Sequence, residues 1–152
     1  MKIAIKSRAE IEDFAFPTKS ALISITDYDY DFAELRSQPD YILQLVFDDI
    51  DSDVFVDELG RTPTDAERKH IELKYHMMTD EQAQQITDFY NKVSDTVDIL
   101  ICQCEHGQSR SAAVAAAIME YAYGNGIEVF ADERYYPNKT IFNKVLKQLR
   151  NG

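Results

Sequence analysis

The sequence predicts a single α/β domain, a central and mostly parallel sheet flanked by helices in three layers. Three short blocks of β-branched and aliphatic residues carry that expectation: "ALISITD" from Ala21, "YILQLVFDD" from Tyr41 and "VDILICQC" from Val97. Their length and near-continuous apolar character suit strands buried on both faces. Segments of helical spacing separate and follow them, and the alternation of strand and helix implies right-handed crossovers. At 152 residues, with no internal repeat or low-complexity linker, the chain suits one core rather than two.

Between the second and third strand blocks, Thr79 stands three positions before Gln82 as a capping box. Ala83, Ile86, Phe89, Tyr90 and Val93 then recur at helical spacing, which predicts a helix returning the chain to the sheet. After the third block, "SAAVAAAIMEYAYGNG" presents small apolar side chains nearly all round and ends at Gly124 and Gly126, the pattern of a buried helix with a glycine stop. In "NKTIFNKVLKQL" the residues Ile141, Val145 and Leu149 lie four apart, and Pro137 is the expected opening of that last helix. Residues 51–78 fit the alternation least. They are charged, contain "GRTPTD" and read as an excursion with a short helix from Thr64 to Leu73.

Hydrophobic residues make up 45% of the chain and charged ones 28%, the balance of a folded protein rather than a disordered one. Acidic residues outnumber basic ones 27 to 16, for a net charge of -11, which repels a phosphate backbone or an anionic bilayer. Neither nucleic acid nor membrane is therefore an expected partner. A small anion in a locally positive pocket is still permitted, because salt confines the global field to about 10 Å. The charges in "MKIAIKSRAEI" do not suit the apolar segment of a signal peptide, and no later run is long enough to span a membrane. Only Cys102 and Cys104 carry thiols, a sparse usage that fits a reducing compartment, so a cytoplasmic monomer is expected.

The stretch "CQCEHGQSRS", residues 102–111, puts Cys104 six positions ahead of Arg110 on the turn between the third strand and the small-residue helix. Such a turn directs successive N–H groups into a concavity, and the helix N-terminus adds partial positive charge. The amides of Glu105, His106, Gly107, Gln108, Ser109 and Arg110 are the expected phosphate-binding groups. Gly107 admits unusual dihedrals, while Arg110 offers a planar fork matched to two phosphate oxygens. The same field favours the thiolate of Cys104, the competent nucleophile. An alternating Cys102, Cys104, His106 set lacks the usual zinc spacing, and His70 and His76 lie in the excursion. A Cys102–Cys104 bridge is disfavoured as well, since strand residues two apart are separated by ~6.6 Å.

"CEHGQSRS" resembles the Cys-(x)5-Arg-Ser loop of cysteine-dependent protein tyrosine and dual-specificity phosphatases, with Cys104, Gly107, Arg110 and Ser111 on its defining positions. "YPNKTIFNKVLKQL" looks like the proline-asparagine segment and final helix of the compact dual-specificity type. The resemblance implies that Cys104 attacks phosphorus to form a phosphocysteine, that Arg110 and the loop amides bind the phosphoryl oxygens, and that Ser111 steadies the thiolate as it departs. It implies neither metal nor cofactor, and a phosphorylated protein or small phosphomonoester as partner. The family takes its general acid from an aspartate beyond an earlier strand. In "LVFDDIDSD" the family pattern falls on Asp49, with Asp48 next to it. The chain departs from the family at Gln103, where a histidine is usual. Two other readings follow from the same loop: a catalytically weak module that recognises phosphate, and a sulfur-transferring or arsenate-reducing thiol enzyme.

Overall fold

A computed structural model describes residues 1–152. Four strands, β1 (Lys2–Lys6), β2 (Ser20–Thr26), β3 (Tyr41–Val46) and β4 (Ile99–Gln103), form one sheet in the order β1-β4-β2-β3, with every neighbour parallel. Seven helices accompany them: α1 (Arg8–Glu12), α2 (Asp53–Leu59), α3 (Asp65–Lys74), α4 (Asp80–Val93), α5 (Arg110–Tyr123), α6 (Ile127–Ala131) and α7 (Lys139–Asn151). The α/β class expected from the three strand blocks is therefore the observed one. A fourth strand, β1, was not anticipated. "KIAIK" is short and bracketed by lysines, as suits an edge strand that must not recruit another chain.

Alternation along β2 and β4 sorts the core into two layers. Ala21, Ile23, Ile25, Leu100 and Cys102 face the helical side, where Ala83, Ile86 and Val93 of α4, Ala113, Val114 and Ala117 of α5, and Ile141, Val145 and Leu149 of α7 pack against them. Leu22 and Ile101 face the other side, which is covered by Ile11 of α1 and by Ala33, Phe14, Phe16 and Leu35. That third layer is thin, because only five-residue α1 and the irregular segments carrying Phe14, Phe16, Ala33 and Leu35 cover this face.

The capping box at Thr79 forms in both directions, with Gln82 N–H donating to Thr79 Oγ at 3.1 Å and Thr79 N–H to Gln82 Oε1 at 3.0 Å. At the start of α7 the cap is Asn138, whose Oδ1 accepts from Ile141 N–H at 3.1 Å. Pro137 thus precedes the cap instead of opening the helix, since only the asparagine can satisfy an orphan N–H. α5 ends at Gly124 in the left-handed conformation, φ 70°. The excursion contains two helices, not one. α3 begins one residue after Thr64, while α2 has little periodicity of its own and closes a small separate core of Phe55, Ile71 and Met77. Buried Glu72 fastens it to the main body, pairing with Arg68 at 2.7 Å and with Lys144 of α7 at 3.2 Å. No helix is long and apolar enough to cross a membrane.

The layered core yields a contrast between two leucines. Leu149→Ala, at a position 1% exposed, is expected to cost about 2–5 kcal/mol in urea unfolding. Leu73→Ala, 69% exposed on α3, is expected to change stability by less than about 0.5 kcal/mol.

Candidate active site

In this sheet order the chain passes from β2 outward to β3 and then returns across β2 to β4. The crevice at the carboxyl ends of β2 and β4 is the place where open α/β sheets bind ligands. Cys104 leaves β4 there, and Asp27 leaves β2 beside it.

The loop from Cys104 to Arg110 is shaped by where its carbonyls go. Gln103 Nε2 donates to Cys104 O at 3.1 Å, and Arg8 N–H donates to Glu105 O at 3.1 Å. Tyr136 N–H holds Gln108 O at 2.7 Å, while Ala113 and Asn138 N–H hold Ser109 O at 2.9 and 3.3 Å. In a planar trans peptide the C=O and the following N–H point in opposite directions. Four outward carbonyls therefore turn the N–H groups of Glu105, His106, Ser109 and Arg110 towards the inside of the loop, where none of them has a protein acceptor. Such a row of amides is an anion cradle. The peptides on either side of Gly107 are not tied in this way. Gly107 itself has φ 66°, and a Cβ there would lie 2.8 Å from both Lys6 C and Ser7 N, so the loop closes against the β1–α1 turn only because this residue has no side chain.

α5 starts without a side-chain cap. Ser109, in the cap position, donates its Oγ–H to Asp49 Oδ1 at 2.8 Å instead. The helix's first amides stay available, and Ser111 N–H points at Cys104 Sγ from 3.4 Å while Ser111 Oγ lies 3.1 Å from the same sulfur. The two cysteines differ in setting. Burial pushes the Cys102 thiol up to about 12, and the neighbouring Cys104 adds to the shift, so Cys102 is a small apolar core residue at neutral pH. Gln103, buried in β4, accepts from Ser24 Oγ at 2.6 Å while it holds the Cys104 carbonyl. At this position it performs loop orientation with a group that does not titrate.

Arg110 is 5% exposed in the first turn of α5. Its Nη1 donates to Asp27 Oδ1 at 2.5 Å and to Phe47 O at 2.9 Å. Its Nε is buried without a partner, so the guanidinium is fixed by one corner and its remaining edge is unsatisfied by protein. A buried cation is costly unless paired, and Asp27 supplies the pairing. Asp27 was not singled out from the sequence. Its signal was positional: an acidic residue at the carboxyl end of a central strand, "ALISITD", on the side where the loop emerges.

The two candidate acids separate clearly. Asp48 Oδ1 accepts from Tyr28 N–H at 2.8 Å and fastens the ends of β2 and β3 together. Asp49 Oδ1 accepts from Ser109 Oγ and, at 2.9 Å, from Asn138 Nδ2, leaving its Oδ2 without a protein donor. The structure thus brings Asp49 to the loop's rim and assigns Asp48 to the scaffold. A polar groove of about 490 Å3 runs from Asp49 and Ser109 along Tyr136–Thr140. The exposed side chains of His106 and Gln108 make no hydrogen bond within the protein.

Fold and site together define an α/β domain in which a loop of inward-turned amides joins a central strand to a buried helix. No family model and no curated protein matches the chain. Among solved structures, the crystal structure of PTPMT1 is similar to it at 13% identity and a TM-score of 0.46, over 99% of this chain and 90% of that one.

Gly107→Ala is expected to abolish vanadate binding measured by titration calorimetry, because the added Cβ cannot enter without moving the backbone of Lys6 and Ser7.

Proposed function

We propose that the protein is a phosphatase that hydrolyses phosphomonoesters through a phosphocysteine on Cys104. The observation that carries this reading is the meeting, in one loop, of a sulfur flanked by Ser111, inward-turned amides and a buried guanidinium with one edge unpartnered.

The chemistry follows from these groups. The amides and the unpartnered edge of Arg110 hold three phosphoryl oxygens, and their positive field stabilises the charge that gathers there in the transition state. The Cys104 thiolate attacks phosphorus in line, the bond to the ester oxygen breaks, and Asp49 delivers a proton from Oδ2 to that departing oxygen. In the second step Asp49, now a carboxylate, takes a proton from water as the water attacks phosphorus. The S–P bond breaks, inorganic phosphate forms, and the returning thiolate accepts a hydrogen bond from Ser111 Oγ. No metal enters either step. The part of the substrate beyond its phosphate lies in the groove between Asp49 and Tyr136–Thr140, and a phosphorylated protein or a small phosphomonoester satisfies the same chemistry. The substrate is met by a monomer in the cytoplasm.

A second reading is favoured by one specific observation. With Gln103 where the loops it resembles carry histidine, the loop orients Cys104 through a neutral amide at that position, as suits a module that binds phosphate and turns it over slowly.

Hydrolysis of p-nitrophenyl phosphate without added metal, followed across pH, decides between them. Cys104→Ser and Arg110→Ala are expected to reduce turnover at least about a thousandfold. Asp49→Ala is expected to lower it about a hundredfold, the contribution of a positioned general acid. A wild type that binds phosphate but turns over no faster than Cys104→Ser selects the recognition module.

A further inference from the structure

We propose that Arg8 is a positioning residue for the phosphate loop, acting by neutralising Glu105 and by joining the start of the loop to the segment that orients Arg110. The inference rests on the reading of this loop as a phosphate site.

Glu105 follows the nucleophile directly and is an unfavourable neighbour for a dianion. Its carboxylate is taken up by Arg8, whose Nε donates to Glu105 Oε2 at 2.7 Å. The same residue's backbone N–H holds Glu105 O at 3.1 Å, so Arg8 grips Glu105 by side chain and main chain together. The far side of the guanidinium reaches β2 and the segment after it: Nη2 donates to Thr26 Oγ1 at 3.0 Å and to Asp31 O at 2.6 Å. Thr26 and Asp31 stand on either side of Asp27 in the chain, and Asp27 is the partner of Arg110. One planar fork therefore links the first residue of the cradle to the segment carrying the group that fixes its last. The pair is partly shielded, with the Arg8 side chain 21% exposed, so bulk water does not screen it fully. A lysine would bring the charge but not the span across three acceptors.

Phosphate titration calorimetry on wild type, Arg8→Ala, Arg8→Lys and the double variant Arg8→Ala/Glu105→Gln tests the assignment, with thermal unfolding of each as a control on folding. Removing Arg8 leaves a carboxylate beside the bound anion and is expected to weaken phosphate on the order of tenfold. Neutralising Glu105 in that background is expected to recover most of the loss, which repair of a purely structural defect would not do. Arg8→Lys is expected to fall between wild type and Arg8→Ala, and it supplies the comparison if the alanine variant does not fold. Wild-type affinity in both single variants overturns the role of Arg8 and leaves the phosphate site standing. A double variant as weak as Arg8→Ala overturns the electrostatic role. Absence of phosphate binding in the wild type overturns this inference together with the functional reading beneath it.

Discussion

A planar peptide pinned at its carbonyl has no freedom left at its N–H, and the candidate site rests on that constraint. The loop between β4 and α5 contains few side chains suited to an anion. What it offers are backbone dipoles, and their direction is set from outside by Gln103, Arg8, Tyr136, Ala113 and Asn138. Those donors come from four separate places: β4, the start of α1, α5, and the approach to α7. The cradle is thus a property of how these elements pack, and the residues inside it matter chiefly by being small enough, as Gly107 is, or correctly held, as Arg110 is.

The same logic explains the polar groups left in the core. Ser24 and Gln103 face each other across the β2–β4 pairing and would be a poor choice for stability alone. Satisfied by one another, they cost little, and the amide's second function is to hold the loop's first carbonyl. Asp27 and Arg110 follow suit at the carboxyl ends of β2 and β4, where an ion pair fixes one corner of a guanidinium whose Nε has no protein partner. Glu72 does comparable work in the excursion, accepting from Arg68 and Lys144 beneath the satellite core.

Much of this was legible in the sequence because the relevant signals are local. Aliphatic blocks announced β2, β3 and β4, the capping box at Thr79 announced α4, and the spacing of Cys104, Gly107 and Arg110 announced the loop between strand and helix. What escaped was set by distance along the chain. The place of Asp27 at a strand end is legible, but its pairing with a residue 83 positions later is not. "KIAIK" and the five residues of α1 are too short for periodicity to register, and Arg8 has no local feature that separates it from a solvated charge. The family pattern pointed to Asp49 rather than Asp48, but the contact that holds it was hidden, because Asn138 reaches its carboxylate from the other end of the chain. α2 lacked a stripe of its own because it buries a single residue, Phe55, into a core it shares with α3.

The position of β1 has a consequence for how the molecule comes into being. This first strand pairs with β4 alone, and the turn after it is the surface against which Gly107 closes. Arg8 and Glu105 are 97 residues apart in sequence. During synthesis the amino-terminal segment therefore has no sheet partner until β4 has emerged, while β2 and β3 can already pair with each other. Closing so long a loop carries an entropic cost that local contacts do not share. The cradle is consequently among the last parts of the molecule to take shape, and its formation reports that the first and last thirds of the chain have found one another.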